Sequence, residues 1–114
     1  MSRKNDLAYV KDILTACERI RTIMGSEPSP EVLERIVVQD ALVHNIQIVG
    51  EAANQLSTEF KSKVTAVDWQ GMIGMRHRIV HNYFDIDLDI VWDTVLYDLP
   101  ELEAALKPWQ TEID

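Results

Sequence analysis

The chain has 114 residues, which suits a single domain covering residues 1–114. Its content of 46% hydrophobic and 26% charged residues is ordinary for a globular protein and argues against general disorder. The net charge of −8 argues against a protein that coats nucleic acid nonspecifically, because such proteins normally present a basic surface.

No targeting segment is predicted. Residues 1–6 are polar, and no apolar run approaches the roughly 20 residues that a membrane-spanning helix needs. Cys17 is the single cysteine, so an internal disulfide is excluded, which fits a reducing compartment. We therefore expect the protein to be cytoplasmic.

The first predicted helix covers residues 5–24, where apolar side chains recur at three- and four-residue spacing. These positions are Leu7, Val10, Leu14, Cys17 and Met24. Gly25 is expected to end the helix, and residues 26–30 form a turn that contains two prolines.

The second predicted helix begins at Ser29 and Pro30, a capping hydroxyl followed by a proline whose missing N–H is not needed there. The helical pattern continues to about Leu56, which is long for a globular helix, so we expect a break near Gln39. Gly50 weakens such a helix and can permit the close approach of another one.

A polar stripe follows one face of this second helix. Its members are Asp40, His44, Gln47, Glu51, Asn54 and Thr58. Glu51 is the only charged residue between Asp40 and Glu59, whereas a hydrated helix face usually carries more charge. A nearly uncharged stripe is typical of a surface that meets another protein, and His44, Gln47, Glu51 and Asn54 are the candidates for such an interface or cleft. A merely hydrated face is the alternative.

A linker over residues 57–67 is expected next, and Asp68 then caps a third helix that starts at Trp69 and reaches residues 81–83. Residues 84–87 form the predicted turn after it.

Asp87 is expected to cap the last helix, which continues to Pro108 and must kink or restart at Pro100. Its apolar stripe consists of Leu88, Val91, Trp92, Val95 and Leu99. No strand is predicted. The fold class is therefore all-α, an antiparallel bundle of four to five helices.

The window of residues 69–84 contains no Asp or Glu, but it contains Arg76 and Arg78. With histidine neutral, the window carries +2 and the rest of the chain −10, which together give the net charge of −8. This basic island predicts a local anion site, and the acidic remainder would also suit a basic partner protein.

Arg76 and His81 would lie about 140° apart on a continuous helix and could not converge on one ligand atom. Either the helix ends near Val80, or the two groups meet across a symmetric dimer. In either case, the imidazole could move the proton of a ribose 2′-hydroxyl while the guanidinium stabilises charge on the phosphate. Tyr83 adds a hydroxyl and a ring for base stacking. This chemistry requires RNA.

The spacing of Arg76, His81 and Tyr83 resembles the R-x4-H-x-Y motif of HEPN domains, specifically the HepT-like toxins of toxin–antitoxin pairs. Further blocks that look like that family lie at residues 39–41, 45–53, 69, 75–84, 90–92 and 98–100. The resemblance covers nearly the whole chain.

This resemblance implies a HEPN-type helical bundle that forms a homodimer and cleaves RNA without a metal or other cofactor. It assigns catalysis to Arg76 and His81. It says little about the neighbouring polar residues, so we treat His77, Arg78 and Asn82 as secondary site residues. It also implies a type VII-like toxin–antitoxin pair, in which an MNT-type nucleotidyltransferase neutralises the toxin by transferring AMP onto Tyr83.

Two alternatives stay open. His77 and His81 are one helical turn apart and could bind a metal, with His44 and Glu51 as further ligands. The chain could also be a non-catalytic nucleotide- or partner-binding subunit of a nucleotidyltransferase complex, which the acidic body would suit.

Overall fold

The computed structural model describes residues 3–113, and side chains from residue 5 onward. The helices are α1 (Arg3–Met24), α2 (Ile36–Gln55), α3 (Thr58–Lys63), α4 (Trp69–Ile79), α5 (Leu88–Asp93), α6 (Leu99–Leu106) and α7 (Gln110–Ile113). Two 3-10 turns (Pro30–Glu34 and Lys107–Trp109), a π-helical segment (Thr94–Asp98) and two short strands, β1 (Val80–Asn82) and β2 (Asp85–Ile86), complete the described chain. Residues 88–113 are helical throughout and form one continuous helical segment. Together with α1, α2, α3 and α4, this segment gives five helical units in the described chain. The predicted all-α class is confirmed.

Helix α1 buries an apolar face that differs slightly from the predicted one. The face consists of Val10, Ile13, Ala16, Cys17, Ile20 and Met24. Leu7 and Leu14 are only partly buried, which puts them at its edge. Gly25 ends the helix as predicted, because its φ of +82° is accessible to glycine at little cost.

The predicted break in the second helix occurs earlier than expected. A 3-10 turn carries Leu33 into the core, Arg35 is extended (φ −79°, ψ 123°), and α2 begins only after it. Ser29 makes no side-chain capping bond. The break was predicted at Gln39, which instead lies within α2. Its side chain donates a hydrogen bond to the carbonyl oxygen of Leu33 at 2.7 Å and so stabilises the 3-10 turn.

Helices α2 and α4 pack closely at Gly50, as its position in the sequence suggested. A Cβ atom at Gly50 would lie 3.3 Å from the carbonyl oxygen of Met72 and 3.4 Å from that of Ile73. A larger residue would therefore push directly against the backbone of α4. This contact sets the distance between the two helices and hence the placement of the end of α4.

The linker predicted over residues 57–67 is wrong, because α3 lies within it. The hydroxyl of Ser57 accepts a hydrogen bond from the backbone N–H of Phe60 at 3.0 Å, which caps α3. The carboxylate of buried Asp6 accepts two hydrogen bonds from Ser57. One comes from its backbone N–H at 2.8 Å, and the other comes from its hydroxyl at 2.7 Å. Asp6 is 51 residues away along the chain, so local sequence patterns did not indicate this helix.

The absence of strands is a second incorrect prediction. Helix α4 ends at Ile79, and β1 and β2 pair antiparallel around a turn at residues 83–84, with an irregularity between Val80 and Asn82. In a continued helix the carbonyl oxygen of Ile79 would accept from residue 83. It accepts instead from the backbone N–H of Asp87, at 2.8 Å, and this bond closes the hairpin.

Both predicted caps of the later helices are confirmed. Asp68 accepts from the N–H of Gly71 at 3.0 Å, and Asp87 accepts from the N–H of Ile90 at 3.2 Å. The helix restarts at Leu99, after a π-helical segment that accommodates Pro100. Among the helices formed by residues 3–113, none combines the length and the apolar character needed to cross a bilayer.

Candidate functional site

Arg76 lies near the end of α4 and contacts α2. Its Nε donates to Oε1 of Gln47 at 3.1 Å, and Nε2 of Gln47 donates to Oε1 of Glu51 at 3.0 Å. The Nε bond restrains the plane of the guanidinium, and the two terminal NH2 groups keep donors that suit a phosphate. Met72, early in α4, lies beside Gly50, whereas Arg76, late in α4, bonds to Gln47. The contacts therefore move backward along α2 as α4 proceeds, so the two helices are antiparallel.

His81 lies on β1, beyond the end of α4. Its Nε2 is 3.7 Å from Oδ2 of Asp87, and its side chain is 51% exposed. The same Asp87 caps α5 through Oδ1, so one carboxylate ties the hairpin to the following helix. The helix thus ends before His81, which is one of the two routes that the sequence left open. The other route, a dimer, stays a prediction.

Arg76 and His81 lie at the same end of α4, on either side of its last residue, Ile79. Within residues 5–113, no hydrogen bond or ion pair joins the two side chains directly. Each lies beside a partner of its own: Gln47 hydrogen-bonds to the guanidinium, and the carboxylate of Asp87 is 3.7 Å from the imidazole. A ligand with both a phosphate and a transferable proton could engage donors of the first and the ring of the second.

The turn between β1 and β2 presents two aromatic rings to solvent. Tyr83 is 91% exposed and Phe84 is 93% exposed. The backbone N–H of Phe84 donates to Oδ1 of Asn82 at 3.2 Å, which fixes the turn. The sequence identified Tyr83 and Asn82 as site residues but assigned no role to Phe84, whose exposure became visible only in the structure.

The other two basic residues of this segment lie elsewhere around α4. His77 is exposed, and Arg78 donates to the carbonyl oxygen of Gly71 at 3.3 Å. Arg76 and Arg78 are about 200° apart on a helix, and Arg76 is the one whose side chain bonds to Gln47 of α2. Arg78 lies near Asp98, where burial raises the pKa of the carboxyl above its usual range and the guanidinium partly offsets that rise.

The polar stripe of α2 lies along the surface next to Arg76. Asp40, His44, Glu51 and Asn54 are exposed, and Gln47 is partly buried. Thr58 is part of α3 rather than of α2, so the stripe is shorter than predicted. Through Gln47 and Glu51, the stripe continues into the candidate site.

The metal-binding alternative finds no support in the arrangement of side chains. In the part of the chain with described side chains, no three His, Cys, Asp or Glu residues are grouped so that they could hold an ion. His77, His81, His44 and Glu51 therefore do not form the ligand set that their spacing allowed.

Comparisons with known proteins give a consistent result. Residues 13–108 match the family model described as Ribonuclease HepT-like. A protein from Caldanaerobacter subterraneus subsp. tengcongensis named "Putative RNase" is 33% identical over 104 residues, which is 91% of this chain and 93% of the relative. A protein named "Probable ribonuclease HepT" from Thermococcus cleftensis is 30% identical over 99 residues, which is 87% of this chain and 90% of the relative. No solved structure matches the chain.

Proposed function

Because the chain belongs to the HepT-like ribonuclease family, we propose that it is a ribonuclease toxin of a HEPN/MNT toxin–antitoxin pair, acting in the cytoplasm. The observation that carries this proposal is the placement of Arg76 and His81 at one end of α4, each beside a partner of its own. An imidazole suits proton transfer from and to RNA oxygens, and a guanidinium suits stabilisation of the charge on the phosphate, so the pair is suited to RNA cleavage by its own 2′-hydroxyl.

In the proposed reaction, His81 takes the proton of a ribose 2′-hydroxyl, and the 2′-oxygen attacks the adjacent phosphorus. The bond from phosphorus to the 5′-oxygen breaks, and the protonated imidazole returns its proton to that oxygen. The products are a 2′,3′-cyclic phosphate and a 5′-hydroxyl. Arg76 stabilises the extra negative charge on the phosphate oxygens, so no metal ion is required.

Cleavage of RNA by the purified protein in EDTA tests this proposal. Arg76→Ala and His81→Ala should each slow cleavage by about 100-fold or more, because each removes a group that acts on the transition state. Arg19→Ala, which removes an exposed arginine from α1, is the control and should cleave as wild type. Normal cleavage by the two site variants would exclude the assignment.

We further propose that an MNT-type nucleotidyltransferase silences the toxin by transferring AMP onto Tyr83. The hydroxyl is accessible at the tip of the hairpin, where the residue is 91% exposed. Its oxygen would attack the α-phosphorus of ATP and release pyrophosphate. The attached AMP adds bulk and negative charge close to His81, where an RNA phosphate must bind. Mass spectrometry after incubation with the transferase and ATP should find the modification on Tyr83 and none on Tyr83→Phe.

A homodimer is the proposed assembly, with the α2 stripe of His44, Gln47, Glu51 and Asn54 as a candidate interface or cleft. Light scattering on the purified protein should give twice the monomer mass. The non-catalytic alternative, a subunit that binds the transferase or a nucleotide, predicts a stable complex without growth arrest when the chain is expressed alone. Toxicity that the transferase relieves would exclude it.

A further inference from the structure

Phe84 is exposed to an unusual degree for an apolar residue. Its ring is 93% accessible at the tip of the hairpin, whereas Phe60, the other phenylalanine of the chain, is 6% accessible in the core. A phenyl ring has no polar atom that benefits from water, and burying it is favourable. Together with Tyr83 it forms an exposed aromatic pair, which is typical of a surface that binds something.

The hairpin restrains the backbone that carries this ring. The Asn82 side chain accepts the N–H of Phe84, and the pairing of β1 with β2 closes the turn. At the base of the hairpin, the N–H of Asp87 bonds to the carbonyl oxygen of Ile79 at 2.8 Å. The ring is therefore presented on a restrained backbone, only three residues from His81, and binding does not need to order the turn itself.

The charges around the ring favour one part of an RNA chain. Phe84 is the last residue of the window that lacks Asp and Glu and contains Arg76, so a phosphodiester chain can approach from that side. Asp85 follows directly and is exposed, which disfavours a phosphate at the tip itself. A base, which carries no charge and has an aromatic face, fits this position better than a phosphate.

We propose that Phe84 is a stacking platform for a nucleobase of single-stranded RNA, next to the phosphate on which Arg76 and His81 act. This inference rests on the proposed ribonuclease function and adds to it the residue that engages the substrate base. Stacking accepts every base, because each has a π-face, so Phe84 raises affinity for unpaired RNA without selecting a sequence.

The test measures binding separately from cleavage. Fluorescence anisotropy gives the dissociation constant for a short 2′-O-methyl RNA, which lacks the attacking hydroxyl and cannot be cut. Phe84→Ala should bind about 5- to 150-fold more weakly, the range seen when a base-stacking ring is removed. Phe84→Trp should bind like wild type, whereas Phe84→Leu, which is apolar but has no π-face, should be as weak as Phe84→Ala.

An abasic oligomer of the same length isolates the base contribution. It keeps every phosphate and loses every aromatic face, so wild type and Phe84→Ala should bind it equally. Tyr97→Ala is the matched control, since Tyr97 is also exposed (60%) but lies on the π-helical segment. It should bind the methylated RNA like wild type, and thermal melting should show that all variants fold.

Two results would overturn the inference. One is equal binding of the methylated RNA by wild type, Phe84→Ala and Phe84→Leu. The other is a Phe84→Ala variant that loses its dimer or its complex with the nucleotidyltransferase while it keeps wild-type RNA affinity, which would make the ring a protein-docking residue. Failure of the wild type to cleave RNA in EDTA would instead count against the proposed function, and Phe84-dependent binding would remain.

Discussion

The contact between α2 and α4 and the hairpin of residues 80–86 carry the two halves of the candidate site, and they are constructed differently. At the α2–α4 contact, even a Cβ atom at Gly50 would lie 3.3 Å from the backbone of α4, and Arg76 is partly buried beside Gln47. In the hairpin, Asn82, Tyr83 and Phe84 are exposed, and the charged group beside His81 is the carboxylate of Asp87 at 3.7 Å.

This difference matches the demands of the proposed chemistry. A group that stabilises charge works best when it is oriented before the reaction begins, and close packing provides that for Arg76. A proton-transferring histidine and a tyrosine that a second enzyme modifies must both be reachable from solvent. The packed contact and the hairpin can be tested separately by substitution, and the packing of α1 can be tested by the reactivity of Cys17.

The packed contact should tolerate no side chain at Gly50. Gly50→Leu should lower the free energy of unfolding by about 1–3 kcal/mol, because the new atoms press on the backbone of α4. Urea denaturation followed by circular dichroism measures this change. Gly74→Ala is the matched control: a Cβ there meets nothing within 4 Å, so stability should rise by up to about 1 kcal/mol. A Gly50→Leu variant as stable as wild type would show that the contact is not close.

Gln47 should affect cleavage only through Arg76. Gln47→Ala should lower kcat by about tenfold, because the guanidinium loses the acceptor that orients it. Gln55→Ala, an exposed position on the same helix, should leave kcat unchanged. In the Arg76→Ala background, Gln47→Ala should have no further effect, since the residue that it positions is gone. Additive losses in the double variant would contradict a positioning role.

Two substitutions of Asp87 should separate its two contacts. Asp87→Ala removes the cap of α5 and should lower the free energy of unfolding by about 1 kcal/mol, whereas Asp87→Asn keeps a capping oxygen and should change it little. Both remove the carboxylate that faces His81. Both should slow RNA cleavage to the same extent while only Asp87→Ala destabilises the fold, which would show that the carboxylate beside His81, rather than the cap, supports catalysis.

The smallest expected signal comes from Cys17, inside the bundle. Burial raises the pKa of its thiol to about 12, with the Glu103 carboxylate adding to the rise and Arg21 opposing it. At pH 8 only about one thiol in ten thousand would then be the reactive thiolate, compared with roughly a quarter for a free thiol. Ellman's reagent should not react with the native protein at pH 8 and should react promptly in urea. Rapid reaction of the native protein would mean that the bundle opens at α1.

Some of the places where helices start and stop were predictable from the sequence, whereas the start of α2, the whole of α3 and the end of α4 were not. Gly25, Asp68 and Asp87 act within one turn of their own positions, and an apolar period of three to four residues is visible in α1 without any partner. The all-α class follows from such local signals. The identity of the candidate site residues came from the spacing of Arg76, His81 and Tyr83 and from the family that this spacing resembles.

Contacts between distant residues required the tertiary structure. Helix α3 depends on Asp6 bonding to Ser57, 51 positions away, and Arg76 depends on Gln47, 29 positions away. The hairpin depends on the bond from Asp87 to Ile79, which replaces the bond that would have continued α4. Capping and periodicity are encoded within a few residues, whereas these bonds exist only because packing of the bundle brings their donors and acceptors together.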